Sequence, residues 1–585
     1  MRIQNPYCPP LSLLFALLTA GSFGLQGQNL ENLGSTLRSE GLNITGNLQL
    51  SNQTYWASGI APRRDGMMTM VRAGLNFRFL GFSAPFSMVF SDQNANFNLP
   101  SYTFLGISPR YKWATLHAGD RNMNFSKYTM SGISFRGVGL ELNPGKFQAA
   151  FFYGRLNRAL ANDLNAAGNL NDFYQRKGMG ARIGYGDQNS AYYLNFFSAR
   201  DNADAFPDTE LGERLRPTDN MVLSLQARQH IGKRLSINGE LAHSVYNQDQ
   251  NAEPLANEDI RFINKMLGLF RPNQSLLSGQ AYNIGLQYNL GQTGLQAAYE
   301  RIDRGYRTLG ALFFNNDTEN ITAGLNRTFF NNSLQVFVNG GLERVNLDDQ
   351  EQESTDRLIA SANLSYRPSD RWFFSGMYGN FRNDTKLRVR TDLTVPVDSI
   401  FLAQVNQTAN ITALRQLGSA ERPASMQFLL NHQRAGNVVN DTVMNSAQSR
   451  FTTASLSFSA GSPTNLQWNT GLTLNFIELG AIRSRSFAPI LGLNKSLLNN
   501  ALTLNFNSGL SFFRMAGSED NKVFNLNIGG NYQLRNSHRL GLSAMHIRRF
   551  GSADAVRNFH EWYGQLNYGY NFGGKIGGGS SNNQN

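Results

Sequence analysis

The chain has 585 residues, of which 41% are hydrophobic, 11% aromatic and 16% charged, with a formal net charge of +12 and a single Cys. Globular chains average about 45–50% apolar and about 25% charged residues, and disordered ones carry more charge and fewer aromatics. The balance excludes disorder and a disulfide scaffold; after residue 27 no run approaches the ~18–20 apolar residues of a spanning helix, which leaves a large β protein.

The first element is an export signal. Arg2 supplies a short positive start, and residues 11–20 (Leu-Ser-Leu-Leu-Phe-Ala-Leu-Leu-Thr-Ala) form an apolar core of signal length. Small residues follow at Ala20, Gly21, Ser22, Gly24 and Gly27, so residues 1–27 are expected to be removed. Residues 28–41 then form a short periplasmic lead. Cys8 falls inside the signal, so the exported chain would lack cysteine catalysis, thiolate metal sites and disulfides.

From residue 42 onward one pattern repeats. Leu42, Ile44, Gly46, Leu48 and Leu50 alternate with Asn43, Thr45, Asn47, Gln49 and Ser51. The same alternation runs through Val71–Phe79, Phe82–Phe90, Met179–Tyr185, Met221–Ala227 and Tyr282–Leu290. It continues through Leu358–Tyr366, Leu466–Phe476, Leu502–Phe506, Phe524–Ile528 and Trp562–Phe572. Each is a strand with one apolar and one polar face. The strands run to roughly 10–14 residues, the length that spans a bilayer when tilted, against about 5–6 for ordinary strands. Aromatics gather at strand ends, as at Tyr55-Trp56, Trp113, Tyr185, Tyr192-Tyr193, Trp372-Phe373-Phe374 and Trp562-Tyr563, where an interface girdle would lie.

Connections alternate between very short turns, such as Leu80-Gly81, Asn143-Pro144-Gly145 and Pro368-Ser-Asp370, and long loops, such as 57–66, 120–131, 248–279, 305–318 and 384–449. About 25 candidate strands are present, and the alternation breaks at Ala424–Gln433. Placing that segment inside the long 384–449 loop gives about 24 strands, with 22–26 allowed by the even-number rule. The expected fold is therefore all-β: a single antiparallel transmembrane barrel over 42–572, with a flexible Gly/Ser/Asn tail over 573–585.

With these features the chain resembles Gram-negative outer-membrane β-barrel proteins of porin-like type, with a texture similar to those of Bacteroidota. The resemblance implies partners in outer-membrane lipid and lipopolysaccharide, in the barrel-assembly machinery, and in a periplasmic or surface lipoprotein. The last strand ends as a β-signal would, with Trp562, Leu566, Tyr568, Tyr570 and Phe572 alternating; the tail beyond Phe572 departs from that pattern. Ala118-Gly-Asp-Arg121 and the stretch 133–140 (Ile-Ser-Phe-Arg-Gly-Val-Gly-Leu) also resemble, weakly, strands of fimbrial ushers. Alternation begins near residue 42, leaving no room for the plug of a TonB-dependent receptor or for POTRA domains.

A pore of about 24 strands needs a filling. Three segments are candidates for inward folding or for outer-surface loops: helix-like Glu258–Phe270, Ser399–Leu417 (with Phe401, Val405 and Leu414), and Leu156–Gln175. The +12 charge has two readings. Basic residues at the rims (Arg63, Arg64, Arg214, Arg216, Arg548, Arg549) would meet lipid phosphates or anionic glycans. Alternatively, inward Arg72, Arg78, Arg182, Arg228 and His230, offset by Glu240 and Glu300, would set a luminal field.

The cations are too dispersed for nucleic acid. The seven His residues show no metal spacing, and the acidic loop with Asp348, Asp349, Glu351 and Glu353 reads as solvated. No catalytic, cofactor or metal site is expected. The leading function is passage through a large channel or translocation pore. The alternative is a closed receptor, adhesin or scaffold barrel acting through its outer loops.

Overall fold

Tight turns with left-handed backbone set the pairing from the second hairpin onward. Leu80 (φ 47°) and Gly81 (φ 76°) join Phe79 to Phe82, the two-residue geometry that matches strand twist. Asn331, Asn332, Asn499 and Asn500 take positive φ in later turns, a conformation Asn tolerates better than most residues.

A computed structural model describes residues 42–576 except 93–103, 160–173, 206–215, 257–265, 267, 312–314, 349, 352, 388–399, 420, 440–441, 445–447, 463–465, 516–520, 536 and 552–557. The expected signal, lead and far tail lie outside the described residues.

Twenty-six strands make the wall. In order they are β1 (Leu42–Ser58), β2 (Met67–Phe79), β3 (Phe82–Ser91), β4 (Phe104–Ile107 with Arg110–Tyr111), β5 (Ala114–Asn122), β6 (Ser134–Leu142), β7 (Phe147–Asn157), β8 (Arg176–Gly186) and β9 (Ser190–Asp201). Next come β10 (Asp219–Ile231), β11 (Leu235–Asn247), β12 (Leu276–Leu290), β13 (Thr293–Ile302), β14 (Thr318–Phe329), β15 (Leu334–Val345), β16 (Glu353–Ser369), β17 (Trp372–Leu387) and β18 (Ile400–Gln416). The circle is completed by β19 (Ala424–Val439), β20 (Ser449–Gly461), β21 (Leu466–Leu479), β22 (Ile482–Leu497), β23 (Leu502–Met515), β24 (Asn521–Leu534), β25 (His538–Gly551) and β26 (Phe559–Ile576). Each pairs antiparallel with its sequence neighbours, and β1 pairs with β26 from Leu42↔Ile576 to Ser58↔His560. Closure satisfies every edge, the condition for a sheet in lipid.

Two expectations change. Of the segment 399–417, read as a candidate filling, Ile400–Gln416 is wall strand β18, and Ala424–Gln433, assigned to an outer loop, belongs to wall strand β19. They pair with each other from Leu402↔Val439 to Gln416↔Ser425, which raises the count from about 24 to 26. The last strand also runs past Phe572 to Ile576.

The two faces are physically distinct. Val138, Ile183, Leu225, Leu241, Ile284, Ile321, Leu342, Leu358, Ile411, Leu456, Ile528 and Leu542 are all exposed on the outer face. So large an apolar belt is untenable in water and suits a bilayer. Trp56, Trp113, Tyr185 and Tyr192, 50–62% exposed, mark its borders. The buried core is displaced inward: Phe135, Phe152, Phe197, Val222, Ala242 and Ala281 lie on the inner face of β6–β12.

Candidate functional site in the barrel lumen

Neutral amides and hydroxyls line much of the inner face. Asn410, Asn431, Thr453, Asn475 and Ser486 are successive cross-strand partners. Thr453 Oγ1 donates to Asn475 Oδ1 at 2.7 Å, and Asn475 Nδ2 to Ser486 Oγ at 2.8 Å. Such ladders satisfy polar side chains while presenting a wet, uncharged surface. The Asn-rich texture of the chain is therefore a property of its lumen. Inner-face Ile359 and Met377 are 40% exposed, so open space adjoins this part of the wall.

Across the barrel the lumen is occupied. The loop 123–133 after β5 and the loop 303–311 after β13 fold inward and form a ledge against β6–β13. Tyr128, Met130 and Tyr306 are fully buried, and Met123 and Phe125 nearly so. Burying each such side chain contributes about 1.5–3 kcal/mol. The loops are tied to one another. Tyr306 OH donates to Tyr128 O (2.8 Å), Thr308 Oγ1 to Thr129 O (2.7 Å), and Ser131 N to Gly310 O (2.8 Å).

They are also tied to the wall. Tyr128 OH donates to Glu300 Oε1 at 2.6 Å and accepts from Asn283 Nδ2 at 3.0 Å, while Lys127 pairs with Glu300 and Ser126 donates to Glu240. Buried Asn220 donates to Arg307 O (3.1 Å) and accepts from Leu309 N (3.0 Å). Glycines make the room. A Cβ at Gly180 would stand 2.5 Å from Phe125 and 2.6 Å from Phe152, and one at Gly139 would stand 2.7 Å from Met123 Sδ.

The luminal candidates separate into groups. Glu240 and Glu300 meet at the ledge, within the inner-face row Glu240–Asn283–Glu300–Asn320–Glu343–Arg357–Asn383. In that row Arg357 donates to Glu343 at 2.9 Å and Asn383 at 3.2 Å. Arg182 stacks 3.7 Å over the Tyr193 ring and donates to Gln226 at 3.3 Å. Arg228 donates to Asp187 O at 3.2 Å, and the His230 ring bonds Asn189 O at 2.7 Å, both at the short-turn end. Arg72 and Arg78 lie exposed on the inner face of β2, away from the ledge. Among the described residues no group of three His, Cys, Asp or Glu is placed to hold a metal.

The other two candidate fillings are described only in part. Met266 and Phe270, the described buried end of Glu258–Phe270, pack on Met221 and Val245, which share the outer face with Leu225 and Leu241. These described residues lie on the outside of the wall, and 257–265 and 267 lie outside the described residues. Of Leu156–Gln175, Leu156 belongs to β7 and packs against the ledge core, while 160–173 lie outside the described residues.

Sequence reading missed Ser126, Lys127, Tyr128, Tyr306, Thr308 and Asn220. A usable signal was present in Met123-Asn-Phe-Ser-Lys-Tyr-Thr-Met130, which is too apolar for a solvated loop.

The net charge has a definite location. At the rim that carries turns 80–81, 143–146 and 232–234, Lys and Arg within four residues of a turn are Arg78, Arg110, Lys112, Lys146, Arg228, Lys233, Arg234, Arg327, Arg367, Arg371, Arg415, Arg422, Lys495, Arg535 and Arg539. Against these fifteen stand four acids: Glu141, Asp187, Asp370 and Glu421. This excess of eleven nearly equals the whole chain's +12, so the short-turn rim is the cationic one. At the long-loop rim four of the named cations have partners: Arg63 pairs with Glu561 (3.5 Å), Arg64 lies 5.2 Å over Tyr563, Arg216 faces Asp249 (3.9 Å), and Arg548 lies 4.4 Å over Phe550, while Arg214 lies outside the described residues.

A closed ring with an apolar belt outside and a polar lumen within decides the class. The chain folds as a β-barrel of the outer-membrane kind. No family model and no curated protein matches it. Similar solved structures include the P pilus usher (PapC) translocation pore, at 10% identity over 90% of this chain and 99% of that one, TM-score 0.40. OccAB4 of Acinetobacter baumannii is 12% identical over 66% of this chain and 97% of its own, TM-score 0.30. BauA, the ferric preacinetobactin receptor of Acinetobacter baumannii, is 10% identical over 90% and 80%, TM-score 0.40. These are likenesses of architecture alone.

The ledge of this barrel has a pH signature. Burial first, and then hydrogen bonding to Glu300, pushes the Tyr128 phenol above its ordinary range; burial does the same for Tyr306. A raised folded-state pKa means the neutral phenols' contribution is complete below about pH 10 and is lost as pH rises further. The conductance of the bilayer-reconstituted protein should stay flat from about pH 7 to about pH 9 and rise only beyond about pH 10.

Proposed function

We propose that this protein is an outer-membrane passage channel, inserted with its short turns toward the periplasm, whose lumen is narrowed by the ledge of 123–133 and 303–311. One observation carries the reading. A ring of 26 strands, wider than the 16–18 that already leave an aqueous channel, bears its ledge, among the described residues, on β6–β13 alone, while the facing wall presents solvated amides. Selection would operate by size and by the charged row running from Glu240 to Arg357, without covalent chemistry. Lipid, lipopolysaccharide, the assembly machinery and a lipoprotein are the partners such a barrel would meet.

Planar-bilayer recording tests it. The purified protein should give discrete conducting steps, and replacing 124–131 by a Gly-Ser linker should enlarge them several-fold. Silence from both proteins would overturn passage and favour a closed barrel acting through its outer loops.

A further inference from the structure

The outer wall is concave beside the ledge-bearing strands. Along β7–β12 a groove of about 1140 Å³ runs on the lipid-facing side. Phe147, Ile183, Leu194, Leu225, Leu241 and Ile284 form its bed, all facing outward and 42–59% exposed. Toward the short turns it ends at Tyr185 and Tyr192, and Tyr192 OH donates to Gln229 Oε1 at 2.7 Å. Just beyond stand the turns 143–146 and 232–234, with exposed Lys146, Lys233 and Arg234. Lys146 shares its charge with Asp187 at 3.0 Å, whereas the turn 232–234 has no acidic residue within four positions.

We propose that this groove binds an anionic phospholipid of the periplasmic leaflet, its acyl chains along the trough and its phosphate on Lys233 and Arg234. An apolar bed, a tyrosine border and a cationic end in that order match the parts of such a molecule. A free anion would have no use for the bed. A second copy docked symmetrically would set the same cations against themselves, a costly arrangement. The inference takes its orientation from the passage reading but not its chemistry.

Native mass spectrometry of the full-length protein in detergent, titrated with phosphatidylglycerol or phosphatidylethanolamine of identical chains, tests it. One phosphatidylglycerol should be retained with about tenfold preference, since each cation near a lipid phosphate adds to binding. The K233Q/R234Q double variant should lose about tenfold in retention, and Leu225→Trp, which fills the trough without changing charge, should lose it as well. Heat-dependent gel mobility identifies folded protein, and the charge variant leaves the wall packing untouched if Leu225→Trp fails to assemble. Equal retention of the two lipids, retention unmoved by K233Q/R234Q, or a dimer mass in place of lipid overturns the proposal. A barrel silent in bilayers that still holds phosphatidylglycerol sinks passage and leaves this site standing.

Discussion

Gly180→Leu is expected to open the pore several-fold while leaving the barrel assembled. Gly180 faces the lumen in the middle of β8, beneath the ledge. The Cβ that any other residue brings would sit 2.5 Å from Phe125 and 2.6 Å from Phe152, with Phe196 O at 3.1 Å. Overpacking of this kind costs about 1–3 kcal/mol where the surroundings can yield. What can yield here is the loop, not the wall. Phe125 sits on a segment held by side-chain bonds to Glu240 and Glu300, whereas Phe152 and Phe196 belong to strands locked by continuous ladders. The ledge should leave its seat, and single-channel conductance should approach that of the variant lacking 124–131. Gly379→Leu is the control. Gly379 also faces the lumen, on β17, but a Cβ added there would meet no atom within 4 Å, so conductance should stay within about twofold of wild type. Equal conductance for Gly180→Leu and the parent would show that the ledge does not limit the pore.

Most of the wall was legible because a strand in a barrel has only two environments. Leu48 and Leu50 in β1, or Leu225 against Ser224 and Gln226 in β10, declare their faces without knowledge of any partner. Strand β18 shows where that fails. Its outward positions include Val405, Ala409 and Ala413, too small for strong contrast, and the bulk comes from neighbours: Tyr378 lies opposite Ala409, and Phe374 and Phe428 flank Ala413. The seven-residue turn after it, 417–423, is also the longest at its end, so the short–long alternation faltered at the same place. The ledge was hidden for a different reason. Sequence places 120–131 and 305–318 beyond the strand ends, but only the fold shows that one returns inward to meet the other, since Tyr128 and Glu300 are 172 positions apart. The inner-face glycines that admit it look like ordinary strand glycines until something is seen lying on them.

The seam offers the second large effect. β1 and β26 come from opposite ends of the described chain, so their pairing closes the longest loop and follows the rest of the wall. At Gly46 the ring of its cross-strand partner Phe572 lies over the bare backbone; a Cβ there would be 2.5 Å from Phe572 Cζ, 2.8 Å from Leu75 and 2.9 Å from Gly74 O. Gly46→Val should therefore leave most of the protein unassembled, read as loss of the heat-modifiable, protease-resistant form. Gly573→Val, on the same seam but with its nearest contact at 3.5 Å, should assemble normally. Adding Phe572→Ala to Gly46→Val removes the largest clash and should restore much of the refolding in detergent micelles. In cells the same pair separates two roles of Phe572. If the assembly machinery reads this aromatic as a terminal signal, the double variant will refold in micelles yet fail in the membrane; if Phe572 acts only by packing on Gly46, rescue will be equal in both. Normal assembly of Gly46→Val alone would refute the packing argument at its root, because it would mean the seam can close without the ring on the glycine.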